Sequence, residues 1–361
     1  MLKPRGAVNR IPAYHPPLAG REGLRLDFNE NTAGPSPRVL ARLRTLTAED
    51  LARYPERQSA EYAAAEALGV TESELLLTNG VDEAIHLLCQ TYLDEGDEAI
   101  IVVPTYSMYR IYMTGAGAEV ISVPADPDFR FPTAAVRDRI TDRTRMIAVA
   151  NPNNPTGTFT SVEQLLEVAR SAPSAAILID EAYFEFCGKT VLDKRREFPN
   201  IFVARTFSKI YGLAGLRIGV LIGDAAQMRS VRRVCSPYNV NGVALACLPV
   251  ALADQDYVTE YVSETLTSRS LLEEALEARR IPFWPSQANF VLARVSARKS
   301  DSQTFVEQMH RRGILVRDRS ADYGCEGCVR ITVGRMEHTA RLLTALDQVL
   351  EQLPVAIGVR S

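Results

Sequence analysis

Short, mostly apolar runs that alternate with helical segments constrain this chain more than any other feature. Ala99 to Val103, Glu119 to Val123, Met146 to Ala150, Ala176 to Ile179 and Ile201 to Ala204 all have strand length, and helical patterns such as Ser161 to Arg170 separate most of them. A strand covered on both faces reads as an unbroken apolar run, whereas a half-exposed strand alternates. The pattern predicts an α/β fold with a mostly parallel central sheet sandwiched by helices.

The flanks read differently. The start is rich in proline and glycine and predicts an extended arm, so residues 1–46 are read as an N-terminal arm and the start of a small domain. Helices are predicted from Ser59 to Leu68, ending at Gly69, and from Asp82 to Leu93 after Asn79-Gly80. These belong to a large domain, 47–247. Beyond it comes a long charged helix, about Gln255 to Arg279. Short strands near Asn289, Ile314 and Val329 follow, with helices near Gln303 to Arg312 and Glu337 to Leu353. That order predicts a smaller α+β domain, 248–361.

Charge excludes some functions. The 41 basic and 44 acidic residues are spread along the chain and leave a net charge of -3, with no polybasic tract to suggest nucleic acid. No run reaches the roughly 20 apolar residues that cross a bilayer, and the start has no apolar signal core, so the expected location is the cytoplasm. The six cysteines read as reduced thiols. Cys325 and Cys328 form a CxxC, but no second such pair completes four metal ligands, so no metal is expected and a plain loop before a strand is favoured. The expected partner is a small molecule.

In open α/β sheets ligands bind beyond the carboxyl ends of the strands. Here those ends run into Pro104-Thr105-Tyr106, Asn151 to Gly157, Asp180 to Tyr183 and Arg205 to Lys209. Together they offer an amide, a carboxylate, phenols, hydroxyls and an amine, the inventory that pyridoxal 5'-phosphate (PLP) requires. Its aldehyde needs an amine, for which Lys209 is placed. Its ring nitrogen needs an anion, for which Asp180 follows an apolar strand, and Tyr183 can reach the ring hydroxyl. Its phosphate needs hydroxyls, an arginine and helix N-terminal N–H groups. Thr206, Ser208, Arg217 and the turn Asn79-Gly80-Val81-Asp82 supply these.

Taken in order, the motifs resemble the histidinol-phosphate aminotransferase family of fold-type I PLP-dependent enzymes. The likeness runs from Asp27-Phe28-Asn29-Glu30-Asn31 through Arg53-Tyr54-Pro55-Glu56, Pro104 to Tyr109, Asn153 to Gly157 and Leu213 to Arg217, on to Arg330-Ile331-Thr332-Val333-Gly334. It implies that Lys209 is the Schiff-base lysine and proton shuttle and that Asp180 pairs with the pyridinium. Asn154 and Tyr183 would hydrogen-bond the phenolic oxygen, and Tyr106 would stack on the ring. Val81 and Asp82 would donate backbone N–H groups to the phosphate, joined by Thr206, Ser208 and Arg217. Tyr54 would reach the neighbouring subunit's cofactor, which implies a homodimer with shared active sites. Arg330 would clamp the substrate anion, with Arg317, Arg341 and Tyr14 as further substrate contacts. Thr32 stands where the family usually has proline.

The resemblance implies transamination between an amino donor, L-histidinol phosphate, and 2-oxoglutarate. An aromatic or broad-specificity aminotransferase, or an enzyme like threonine-phosphate decarboxylase, remains open on the sequence.

Overall fold

The computed structural model describes residues 2–13 and 20–352. Seven strands form the main sheet: β2 (Leu75–Thr78), β3 (Glu98–Val103), β4 (Glu119–Pro124), β5 (Thr144–Ala150), β6 (Ala176–Asp180), β7 (Ile201–Thr206) and β8 (Gly219–Ile222). Their spatial order is β2-β8-β7-β6-β5-β3-β4. Neighbours from β7 across to β4 run parallel, and β8 runs antiparallel to both β7 and β2. β2 and β8, four residues each, are not among the runs singled out from the sequence.

Side chains on a strand alternate between faces. Ile177 and Ile179 of β6 join one apolar core, with Leu165 and Leu245, while Ala176 and Leu178 join another, with Leu88 and Met113. The same split separates Val203 from Phe202 and Ala204 on β7. A strand with apolar neighbours above and below cannot show an alternating pattern, which explains the unbroken runs. Helices Gly80–Tyr92 and Ser107–Ala116 cover one face. Helices Val162–Ser171 and Gly242–Ala253 cover the other.

Gly242–Ala253 is apolar on every side and packs against helices Gln58–Leu68 and Pro37–Arg44. Its Leu245, Leu248 and Leu252 share a core with Val39. The division expected at residue 247 therefore falls inside this helix, and Val39 lies with the large sheet and not with the smaller lobe. Gln58–Leu68 stops at Gly69 as the sequence suggests, where φ is 64°, a left-handed conformation that glycine adopts without strain.

The second lobe centres on a four-stranded antiparallel sheet, β12 (Arg317–Asp318), β13 (Cys328–Thr332), β10 (Phe290–Arg294) and β9 (Phe283–Trp284), in that order. The 24-residue helix Gln255–Ala278 and helix Met336–Gln352 pack together beside it. β1 (Leu24–Arg25) pairs in parallel with β11 (Ile314–Leu315), which ties the early chain to this lobe. Cys325 and Cys328 are buried free thiols at the turn into β13, and among the described residues no cluster suits a metal. No described helix is long and apolar enough to cross a membrane.

Candidate active site

A cavity of about 660 Å³ lies at the carboxyl ends of β5, β6 and β7, closed on its other side by the second lobe. Lys209, Asp180, Tyr183, Asn154, Tyr106, Val81, Asp82, Thr206, Ser208, Arg217, Arg317 and Arg330 all line it. Most of the residues singled out from the sequence are thus brought to one place.

Asp180 ends β6 and is buried. Its Oδ2 accepts from the Tyr109 hydroxyl at 2.6 Å and its Oδ1 from the Ala182 backbone N–H at 3.0 Å. Burial pushes its carboxyl up to about 6, and the two hydrogen bonds hold it below what burial alone would give. A cation beside it would restore the ionised form.

Lys209 follows the last residues of β7, and its Nζ donates to the Phe28 carbonyl at 3.0 Å. Burial, and next the charge of Arg330, bring its ammonium down to about 8. A substantial fraction of this amine is neutral near pH 8, as a nucleophile and base must be.

At one end the helix Gly80–Tyr92 presents its N-terminus, where the first N–H groups have no intrahelical partner. Gly80 has φ 72°, and a Cβ on it would lie 2.6 Å from Nη2 of Arg217. Arg217 pairs with Asp82 at 3.2 Å, and the Tyr106 hydroxyl donates to the same carboxylate at 2.8 Å. Thr206 Oγ1 accepts from the Ser208 N–H, while Ser208 Oγ is buried without a partner among the described residues. An orphaned hydroxyl, a guanidinium and free N–H groups around a position that admits no Cβ make a fitting cradle for a phosphate.

Residues 27–32 cross from this end to the other. Besides Phe28, the Asn29 amide donates to the Tyr183 hydroxyl at 2.9 Å, and the Asp27 carbonyl accepts from Arg330 at 2.6 Å. Arg330 also donates to Asn154 Oδ1 at 2.5 Å. The Thr32 N–H donates to the Tyr261 hydroxyl at 2.9 Å, a bond that proline could not make, and Thr32 itself lines a neighbouring cavity.

Three expectations lie elsewhere. Arg341 does not line the Lys209 cavity. On helix Met336–Gln352 the packed stripe is Thr339, Leu342, Leu346 and Val349, and exposed Arg341 lines an adjoining cavity of about 460 Å³, which shares Glu30, Ser208 and Ala214 with the Lys209 cavity. Tyr54 is 77% exposed, stacks on Tyr238 at 4.2 Å between ring centroids, and is outside its own chain's cavity. Tyr14 lies outside the described residues.

Sequence reasoning missed Tyr109, Arg21 and Arg319. Tyr109 sits three residues after Tyr106 at the start of a helix, a spacing that turns both rings to one side. Arg319 lies two residues after Arg317 at the end of a strand, the spacing of one sheet face. Arg21 had no local signal; it is held by Asp27 at 2.7 Å and lies over the Phe28 ring at 4.1 Å.

The profile of the family described as "Aminotransferase class I and II" matches residues 21–346. The chain is similar to a histidinol-phosphate aminotransferase of Paracoccus denitrificans, 34% identical over 97% of each chain. It is also similar to one of Roseobacter denitrificans, 37% identical over 90% of this chain and 91% of that one. Among solved structures, histidinol-phosphate aminotransferase from Sinorhizobium meliloti in complex with pyridoxal-5'-phosphate superposes with a TM-score of 0.89 at 24% identity, over 98% of both chains, and shares the fold. With more than half its length matched by that profile, on a sheet whose carboxyl ends gather a buried lysine, a buried aspartate and a phosphate cradle, the chain belongs to the class I and II aminotransferases.

Proposed function

We propose that the protein binds PLP in the Lys209 cavity and transfers the amino group of L-histidinol phosphate to 2-oxoglutarate, giving imidazole acetol phosphate and L-glutamate, a step of histidine biosynthesis. The observation that carries the reading is one cavity that holds Lys209 and Asp180 together with Arg21, Arg317, Arg319 and Arg330. The lysine and aspartate serve the cofactor, and the guanidinium groups serve anionic substrates. The relatives named above carry the same activity in their names.

The donor set fits the cofactor. Asp180 would hold the ring nitrogen, Asn154 and Tyr183 the phenolic oxygen, and Tyr106 one face of the ring. Val81 and Asp82 N–H, Thr206, Ser208 and Arg217 would hold the phosphate. When bound, PLP supplies an electron-poor ring that stabilises negative charge developing at the donor's Cα. The remaining chemistry falls to the chain. Lys209 Nζ takes the proton from the donor's Cα, a role that needs the depressed basicity burial gives it. Arg330, itself brought down to about 10 by burial, orients the donor's anionic group. It is fixed on two sides by Asn154 and Asp27, so little freedom is lost when the substrate arrives.

The site is read as shared within a cytoplasmic homodimer. Exposed Tyr54, stacked on exposed Tyr238 and three residues along the chain from exposed Leu51, supports a partner surface there.

The test is a donor panel: purified holoenzyme, 2-oxoglutarate and histidinol phosphate, phenylalanine, tyrosine, leucine or aspartate, with glutamate release measured. Histidinol phosphate is expected to have the highest kcat/KM. A higher value for an unphosphorylated donor would replace this reading with that of a general aminotransferase.

A further inference from the structure

We propose that Arg319, oriented by Asp322, is a specificity-determining residue that selects amino donors carrying a dianionic phosphate over those carrying a carboxylate. The inference rests on the phosphate-donor reading above and assigns the discrimination to a residue outside the expected set.

The strand geometry places three guanidinium groups together. Arg317 is paired in register with Arg330 across β12 and β13, and the Arg319 N–H donates to the Cys328 carbonyl at 2.9 Å, which carries the ladder one step beyond Asp318. Residues two apart on a strand share a face. Arg317, Arg319 and Arg330 accordingly line the same cavity.

The loop after Arg319 folds back on itself in three-residue steps. Asp322 N–H donates to Arg319 O at 2.9 Å, Cys325 N–H to Asp322 O at 3.1 Å, and Cys328 N–H to Cys325 O at 2.9 Å. Such a closed loop fixes Asp322, whose Oδ2 lies 2.5 Å from Arg319 Nε. The Arg319 side chain is only 15% exposed. The contact is an ion pair without hydrogen-bond geometry at Nε or Oδ2, and Arg319 lines the Lys209 cavity, where a ligand can meet its guanidinium.

Charge balance points to the ligand. Asp27 and Glu30 are engaged by Arg21 at 2.7 and 3.3 Å. Among the described residues Arg330 has only neutral hydrogen-bond partners, Asn154 Oδ1 and the Asp27 carbonyl. Arg317, among the described residues, has the Phe28 ring at 5.4 Å and no carboxylate. Among the described residues three guanidinium charges therefore share the one carboxylate of Asp322, an excess of two. Like charges crowded in a part-buried cavity are unfavourable unless an anion offsets them.

A carboxylate on Cα offers one charge directly beside Arg330. A phosphate ester on the neighbouring carbon puts phosphorus two bonds farther out and brings about 1.5 to 2 negative charges. The farther, doubly charged group is the one that engages all three guanidinium groups.

The experiment uses holoenzyme, so that the cofactor's own phosphate position is filled. For Arg319→Gln, Arg319→Lys and Asp322→Asn, kcat/KM is measured with histidinol phosphate, with histidinol and with glutamate, and inorganic phosphate is titrated as an inhibitor of the glutamate half-reaction. Arg319→Gln should lower kcat/KM for histidinol phosphate about 10- to 150-fold, the effect of a lost charge-assisted hydrogen bond. It should lower kcat/KM for histidinol and glutamate at least about tenfold less than that, and weaken phosphate inhibition in parallel. Arg319→Lys keeps the charge without the fork and should fall between. Asp322→Asn should raise KM for the phosphate donor more than it changes kcat. Equal losses on all three donors, with phosphate inhibition unchanged, overturn the proposal and leave Arg319 a loop pin. If wild-type enzyme rejects histidinol phosphate, the substrate reading fails on its own. Phosphate inhibition then still decides Arg319, supporting it if Arg319→Gln relieves the inhibition and refuting it if not.

Discussion

Tyr109 donates its hydroxyl to Asp180 across 2.6 Å, and both side chains are buried. Because burial opposes the charge on Asp180, this bond is one of two that favour its ionised form. Tyr109→Phe removes it. A hydrogen bond to a charged group contributes about 1.5–3 kcal/mol, so PLP affinity is expected to weaken roughly 10- to 150-fold. Equilibrium dialysis of the cofactor measures this directly; unchanged affinity would separate Tyr109 from the cofactor's anion.

Acid stability gives an independent reading of Asp180. Its folded value, about 6, lies above its usual 3.8. The stability it contributes to apoprotein is therefore fully present below about pH 4 and lost as pH rises through 6. At 1.36 kcal/mol per pH unit the difference is on the order of 3 kcal/mol. Urea unfolding of apoprotein at pH 4.5 and 7.5 should show wild type losing ground to Asp180→Asn across that interval. Parallel behaviour of the two proteins would mean that the carboxyl titrates normally.

For Lys209 the sign is opposite, because its folded value is depressed. The neutral amine predominates only above about pH 8, and the cation disfavours the fold below it. The rate at which apoprotein captures PLP should rise with pH to a half-maximum near 8. Arg330→Ala removes one of the charges that hold the amine down and should move that midpoint upward. A midpoint that stays fixed in the variant would remove Arg330 from this role.

The sequence made much of this site legible, for a physical reason. Ligand-binding residues follow directly on apolar strands, as Asp180 follows Ile179 and Lys209 follows β7, so strand and site are read together. What stayed hidden depends on long-range contact. Tyr109 reaches Asp180 across 71 residues, and Lys209 reaches Phe28 across 181. Neither pairing leaves a local pattern. Arg341 shows a related effect: spacing along the chain does not say which cavity a helix residue meets, and Arg341 lines the adjoining one while Leu342 and Leu346 pack into the second lobe's core. β8 went unread although it is as long as the run Ile201 to Ala204, and nothing within Gly219–Ile222 shows that it runs against the sheet.

Gly80 offers a test of the phosphate cradle without deleting a donor. Its φ of 72° and the 2.6 Å approach of a Cβ to Arg217 mean that Gly80→Ala strains the turn and displaces the guanidinium. The variant should fold, with a helix N-terminus shifted or strained by roughly 1 kcal/mol, and bind PLP at least about tenfold more weakly. Pyridoxal, which lacks the phosphate, should be affected much less. Equal weakening of both ligands would argue for general distortion.

Tyr54 tests the shared site. Chains with Tyr54→Phe are mixed with chains carrying Lys209→Ala under conditions where subunits exchange. Hybrid dimers should contain one site free of both lesions, so activity is expected to return from two impaired proteins. Exchange verified by mass with no recovery of activity would place Tyr54 within its own chain's function or outside function altogether.

The central claim is that Lys209 is the amine that carries the cofactor. Holoenzyme is reduced with borohydride, digested, and its peptides are mapped by mass spectrometry. The pyridoxyl mass should appear on the peptide containing Lys209, and the Lys209→Ala protein should carry none. A pyridoxyl group fixed to another lysine, with Lys209 recovered unmodified, would contradict the account.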